Sequence, residues 1–481
     1  MLALIALCIA PLTFSQQTDT ATSGPAGQSV KGAQLKHKAP INPNTLRVHL
    51  PKPVMARLDN GLRIVLIEDH KLPTLYMQCV LLNRGDALDP AELHGLATAT
   101  AALLRSGTAS RTANALSEEL DTLGGSLNGY SSTLDSYVTV TGLSDFIDPL
   151  LAIMSDVLLR PSFPEDELNR FKLRFVSQLQ SQRASSNFAA RERFYKAIYG
   201  DHPAGTIAPP EDQVSKLTAA DLKSFHEKYY RPNAALLFVA GDVSMKELLP
   251  KVKDAFGEWQ PNDVVPPELP PVHAPDKSQV FVVNRTGSVQ TSLLMGSLGI
   301  TGDAPDRYPV GVMNQVLGGS AASRLFMNLR EDKGYTYGAY SSSSRSRYPG
   351  VVAAYADVRT AVTAGAMHEF MFELKRIATE PVDAVELANA KRAIVGRFAL
   401  SLEEPRNFIA NVFEQIVYGF PADYWDHYAE RVDAVTATDV QRAAAKYFDL
   451  SRLQIVAVGD AAKIGDVMNN YRAEPASSGS P

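Results

Sequence analysis

LTAADLKSFHEKYYRPNAALLFVAGD, residues 217–242, and VTATDVQRAAAKYFDLSRLQIVAVGD, residues 435–460, are two copies of one segment. Thr218 aligns with Thr436, Asp221 with Asp439, Tyr229 with Tyr447, Gly241 with Gly459 and Asp242 with Asp460. Every pair keeps the same offset of 218 (460 − 242), without a gap. Self-similarity held over so long a register implies that the chain is a duplication. Each copy follows the same local logic. A Thr N-cap and a first-turn Asp open an amphipathic helix that ends near a Lys-Tyr pair. An apolar strand follows, LLFVAG or LQIVAVG, and stops at Gly-Asp.

Outward from this pair, LRIVLIED and TLYMQCVLLN read as strands. ELHGLATATAALLRSG, NALSEELDTLG, FIDPLLAIMSDVLLRP and DELNRFKLRFVSQLQSQR read as helices. The order β, β, α, α, β, α, α, β in each half predicts an α+β fold of two homologous domains. Each is a mainly antiparallel sheet with helices on one face, and together they would close like a clam shell. The segment QPNDVVPPELPPVHAPDKSQ, residues 260–279, is too rich in proline for helix or central strand and reads as a stiff linker. The expected boundaries are 46–259 for the first domain and 280–468 for the second, with a polar leader over 16–45 and a frayed tail over 469–481.

The 481 residues carry a formal net charge of −5 and no basic stripe, which excludes a nucleic-acid binder. Cys8 and Cys79 are the only cysteines, so there is no disulfide framework and no thiolate metal site. Cys79, on an apolar strand, reads as core. The first fifteen residues, MLALIALCIAPLTFS, hold a short apolar run with Thr13 and Ser15 before Gln16. This suits a signal peptide over residues 1–15 and export to a periplasm, although the n-region lacks positive charge. The bulky Leu7 counts against lipidation at Cys8. Beyond that run no apolar stretch is long enough for a membrane span.

The stretch GLATATAALLRSGT, residues 95–108, resembles the helix of pitrilysin-type (insulinase-type) peptidases that usually reads G-[LI]-A-H-F-L-E-H-x-L-x-x-G-T. In that inverted zinc motif two His at i and i+4 bind the metal and the Glu between them is the general base. Here Thr98, Ala101 and Ala102 hold those places, while Gly95, Leu96, Ala97, Leu104, Gly107 and Thr108 keep the frame. The resemblance puts a third ligand, a Glu, in the helix around Gln178, yet no Glu occurs between Glu167 and Glu192. No two of the nine histidines are closer than twelve residues (49 − 37), so none can pair at i, i+4. His94 and His226 read as helix-end or surface residues. The resemblance therefore implies no metal site and no cofactor in this chain.

The resemblance extends over residues 48–465 and includes LGGSLNGYSSTLDSYVTVTGL and LGGSAASRLFMNLREDKGYTYGAYSSSS. In active members the second half supplies an Arg and a Tyr seven residues apart that reach the zinc site, and Arg330 and Tyr337 match that pair. An Arg can grip a carbonyl or carboxylate with two hydrogen bonds, and a Tyr hydroxyl can stabilise an oxyanion. Against this stands a structural reading, in which Arg330 pairs with a neighbouring acid and Tyr337 packs on its strand. Gly318, Gly319 and Ser320 lack the Lys-Ser/Thr of a nucleotide loop and would let backbone approach a peptide or turn tightly into the next helix.

Together these features point to a non-catalytic, substrate-binding subunit of a heterodimeric zinc peptidase, similar in type to the inactive subunit of mitochondrial processing peptidase. The expected partner is a homologous subunit carrying H-x-x-E-H and its zinc, with a peptide as substrate. The alternative is a structural or peptide-binding scaffold of peptidase ancestry with no role in catalysis. An autonomous peptidase with new ligands fits the sequence worst.

Overall fold

The computed structural model describes residue 48 and residues 50–472. The proposed signal peptide and nearly all of the polar leader lie outside that range, as does most of the C-terminal tail. The first half contains β1 (Val54–Arg57), β2 (Arg63–Glu68), β3 (Thr74–Leu81), α1 (Leu96–Leu103), α2 (Ala113–Thr122), β4 (Ser126–Ser131) and β5 (Ser136–Leu143). It continues through α3 (Ile147–Leu159), α4 (Glu165–Ala184), α5 (Ser186–Tyr199), α6 (Glu211–Lys216), α7 (Ala219–Tyr229), β6 (Ala235–Gly241) and α8 (Met245–Phe256).

The second half begins with β7 (Gln279–Asn284), β8 (Gln290–Leu298), the two-residue β9 (Ile300–Thr301), α9 (Arg307–Gly318), the short α10 (Arg324–Phe326), β10 (Thr336–Ser343) and the two-residue β11 (Arg345–Ser346). Next come β12 (Val351–Arg359), α11 (Thr363–Thr379), α12 (Ala384–Ser401), α13 (Pro405–Tyr418), α14 (Tyr428–Asp433), α15 (Ala437–Tyr447), β13 (Gln454–Gly459) and α16 (Ala461–Asn469).

The duplication governs topology as well as sequence. The first sheet runs β1-β2-β6-β3-β5-β4 and the second β7-β13-β8-β12-β10, so apart from the added β1 the strand orders coincide. In each, one pair is parallel (β2 with β6, β7 with β13) and the others are antiparallel. The architecture is α+β with two mainly antiparallel sheets, as the sequence implied. One strand was missed. The expected order placed one strand between the second and third helices, where the structure has the hairpin β4–β5 with a short polar turn. The edge strand β4, SLNGYS, is too polar to show an apolar run, because only its inward residue Leu127 is buried.

The repeated segments fold alike for the reason visible in their residues. Thr218 Oγ1 accepts from Asp221 N–H at 3.2 Å while the Asp221 carboxylate accepts from Thr218 N–H at 2.9 Å. Thr436 and Asp439 repeat this box at 3.1 and 3.0 Å. Such caps contribute about 1 kcal/mol each.

Alternation along each strand builds two faces. Met77, Cys79 and Leu81 of β3 face the helices of their own half, together with Ile64, Leu66, Leu237 and Val239. Cys79 is core, and burial pushes its thiol up to about 12. The opposite face, with Val65, Ile67, Leu236 and Phe238, is covered by Phe408, Ile409 and Val412 of α13, a helix of the second half. Reciprocally, Ala190, Phe194 and Ile198 of α5 cover Leu294, Val456 and Val458 of the second sheet. The two halves thus exchange equivalent helices, and burying a side chain such as Phe194 contributes about 2–3 kcal/mol across that contact.

Segment 260–278 carries neither helix nor strand. Arg84 Nη2 pins it to the first half by donating to the Val264 carbonyl at 2.8 Å.

Candidate functional site

Gly95 opens α1 at φ +96°, a left-handed conformation that disfavours side chains. The Asp89 carboxylate caps the helix, accepting from Gly95 N–H at 2.7 Å and Ala97 N–H at 2.8 Å. One turn in, Thr98 donates its hydroxyl to Asp86 Oδ1 at 3.1 Å. From α4, Gln178 approaches the same place. Thr98 and Gln178, eighty residues apart (178 − 98), line one cavity of about 260 Å³ with Asp86, Asp89, His94 and Gln182. The tertiary structure therefore brings together two of the positions that the resemblance assigned to zinc ligands. Ala101 is fully buried and Ala102 half-buried, and neither lines this cavity.

The donor set does not fit zinc. Thr98 is committed to Asp86, both Asp89 oxygens accept from the start of α1, and the two alanines offer methyl groups. Among the described residues no three His, Cys, Asp or Glu side chains are grouped to hold a metal ion. Two carboxylates here were missed in the sequence, Asp86 and Asp89. Their D-x-x-D spacing just before the Gly95 helix start was the available signal. They sit deep in the fold yet open onto the cavity. Burial raises both, and Asp89, with Asp86 beside it, is pushed up to about 8.

The histidines divide. His94 is half-exposed just before α1. His226 is in the last turn of α7, but it is buried rather than on the surface. Its Nε2 lies 2.8 Å from the Leu158 carbonyl at the end of α3, and its ring packs against Tyr230. Burial lowers it to about 4.

In the second half, Arg330 lies in a π-helical turn, Met327–Asp332, an uncommon conformation that often marks functional positions. Its guanidinium rests over the Phe326 ring at 4.8 Å and pairs loosely with Glu331 at 3.6 Å, with the side chain 46% exposed. The neighbouring-acid contact expected of a structural arginine is thus present but long. Tyr337 departs from the packed-aromatic reading, being 91% exposed. It stands on the edge strand β10, where the pairing with β12 slips between Thr336 and Ala339. Neither residue lines the Thr98–Gln178 cavity.

Gly318, Gly319 and Ser320 close α9. A Cβ on Gly318 would come within 2.1 Å of Ser341 N, so glycine lets the helix end lie directly on β10. The Gly319 carbonyl accepts from Arg397 at 3.2 Å, and Ser320 Oγ accepts from Gln315 at 3.3 Å. Their contacts are made within the fold.

Two family models match the chain: "Insulinase (Peptidase family M16)" over residues 63–209, and "Peptidase M16 inactive domain" over residues 216–394. The chain is similar to an uncharacterized zinc protease of Bacillus subtilis, 25% identical over 345 residues, covering 72% of this chain and 83% of that one. It is also similar to a probable mitochondrial-processing peptidase subunit beta of Arabidopsis thaliana, 22% identical over 437 residues, covering 88% and 81%. The fold is shared with the crystal structure of a peptidase M16 inactive domain from Pseudomonas fluorescens. That match has a TM-score of 0.79 at 23% identity and covers 85% of this chain and 98% of the other.

Proposed function

Because the chain belongs to the M16 (insulinase) peptidase family, we propose that it is a non-catalytic, substrate-binding subunit of a heterodimeric zinc peptidase. Its partner is a homologous subunit that bears H-x-x-E-H and the zinc, and the substrate is a peptide. The observation that carries this reading is the contrast between two places. At Thr98, Ala101, Ala102 and Gln178 the metal chemistry is gone, whereas Arg330 and Tyr337 stand exposed and nearly unused by their own fold. An aromatic side chain 91% exposed on a sheet edge contributes little to stability, and its hydroxyl is free to meet a ligand from outside the chain.

In this reading Tyr337 donates its hydroxyl to the oxyanion that develops on the scissile carbonyl. Arg330 holds a neighbouring carbonyl or carboxylate of the peptide with its forked N–H groups. Both act on a peptide held against the partner's metal, since Thr98, Ala101, Ala102 and Gln178 offer no zinc donor set. The apolar, small-residue-terminated N-terminus supports export to a periplasm, and N-terminal sequencing of the mature protein at Gln16 tests that part. Among the described residues no helix is long and apolar enough to cross a membrane.

The decisive experiment is reconstitution. The chain alone is expected to hydrolyse no peptide, and addition of an H-x-x-E-H homologue from the same organism to give a co-eluting, active complex. A complex that forms but whose activity ignores Arg330 and Tyr337 would favour the scaffold alternative, to which the internal contacts of Gly318, Gly319 and Ser320 lend support.

A further inference from the structure

Along α5, Asn187, Ala190, Arg191, Phe194 and Tyr195 recur at i, i+3, i+4, i+7 and i+8, so they share one face of the helix. That face lies on the second sheet, where Val351, Ala353 and Tyr355 alternate along β12 and Ser342 of β10 stands beside Ala353. Ala190 and Ala353 are too small to fill the space between helix and sheet. A cavity of about 270 Å³ remains at this seam between the halves. It is well above the roughly 30 Å³ of one water and close to the lower end of small-molecule sites, roughly 300–1,000 Å³.

Five polar side chains line the cavity: Asn187, Arg191, Tyr195, Ser342 and Tyr355. Among the described residues none of the five side chains has a hydrogen-bond or ion-pair partner. All five reach solvent, with Asn187, Arg191 and Ser342 exposed and the two tyrosines half-buried. Elsewhere the same seam engages its polar groups. The Tyr199 hydroxyl donates to the Pro349 carbonyl at 2.9 Å, and Arg285 donates to the Ser185 carbonyl at 3.3 Å.

The inventory selects a ligand. A guanidinium only donates, and amide, phenol and hydroxyl groups can each donate as well. Among the described residues that line the cavity Arg191 alone is charged, so no carboxylate of the lining balances it. A carboxylate from outside supplies acceptors for these donors, and the forked guanidinium can grip both of its oxygens. The rings of Tyr195 and Tyr355 form apolar walls, with Leu294 and Val351 at the base, which suits an apolar group attached to that carboxylate.

We propose that this cavity binds a carboxylate bearing an apolar body about the size of one side chain, as at the C-terminal residue of a peptide or in a free aromatic acid. Arg191 holds the carboxylate and the two tyrosines flank the body. Neither Arg330 nor Tyr337 lines the cavity, and binding needs no partner subunit, so the proposal stands apart from the peptidase-subunit reading.

Calorimetric titration of the full chain with N-acetyl-L-phenylalanine at pH 7 tests it. One molecule is expected to bind per chain. N-acetylphenylalaninamide, which lacks the charge, and N-acetylglycine, which lacks the apolar body, are expected to bind at least about tenfold more weakly. Arg191→Gln, a change at an exposed helix position, is expected to weaken acetylphenylalanine by about tenfold or more while melting as the wild type does. 3-Phenylpropionate binding as tightly as acetylphenylalanine points to free acids, and tighter binding of acetyl-Ala-Ala-Phe points to peptide C-termini. Absence of binding at millimolar acetylphenylalanine, equal binding of the amide, or unchanged affinity in the Arg191 variant overturns the proposal and leaves the cavity to water.

Discussion

Asp135 of the first half holds Arg347 of the second in an ion pair at 2.6 Å, although 212 residues separate them. The Asp135 side chain is 5% exposed and the Arg347 side chain 23%. Asp135 also accepts from Asn83 N–H at 2.9 Å, so the carboxylate ties the β4–β5 turn both to its own half and to the other. Arg347→Ala should leave a buried carboxylate short of a partner and lower stability by about 3 kcal/mol in urea unfolding. The double variant Asp135→Asn, Arg347→Leu should recover part of that loss, because no uncompensated charge remains.

Arg330→Ala and Tyr337→Phe should each reduce peptide turnover of the reconstituted pair by about 10²–10³. Neither should shift the melting temperature of the chain appreciably, since Tyr337 lies almost wholly in solvent and Arg330, about half exposed, makes only a long ion pair and a ring contact. Size-exclusion chromatography should show normal assembly. Variants that assemble and retain full turnover would reduce the pair to remnants of ancestry.

Acid should weaken the fold through His226. Its folded value near 4 lies below the unfolded value of 6.5. The unfolded chain therefore binds more protons between those limits, and stability falls as pH drops from 6.5 towards 4. The window is worth up to about 3 kcal/mol. His226→Gln keeps a donor for the Leu158 carbonyl but cannot titrate. Denaturant midpoints measured between pH 7 and pH 4 should show a shallower acid slope for the variant, and parallel slopes would exclude His226 as a source.

The chelator-washed chain should retain no stoichiometric zinc by elemental mass spectrometry. Thr98 is spent on Asp86, and Ala101 and Ala102 carry no ligand atom. Tight zinc that disappears in an Asp86→Asn, Asp89→Asn variant would show that the two carboxylates have replaced the lost ligands.

Much of this was legible in the residues because it is local. Thr218 with Asp221, and Thr436 with Asp439, sit three apart, so a capping box can be read from spacing alone. Gln178 could be assigned to the degenerate zinc site only through the resemblance; its approach to Thr98 depends on how α4 crosses α1. The burial of His226 was not legible, since a histidine in a last turn reads the same whether solvent or the end of α3 lies beyond it. Nor was β4, whose polar residues are tolerated at a sheet edge but resemble a loop.

The sequence by itself determined that the chain is a duplication and that each copy builds an α+β half, which follow from identity and periodicity. The reading of Thr98, Ala101, Ala102 and Gln178 as former zinc positions came through the resemblance. Only the tertiary structure decided that α5 and α13 cross between the halves. An amphipathic helix records in its residues that one face must be buried, but any apolar sheet face satisfies that requirement equally. Which sheet receives Phe194 and which receives Phe408 is fixed by packing between segments about 100 to 340 residues apart in the chain, and no local pattern carries that information.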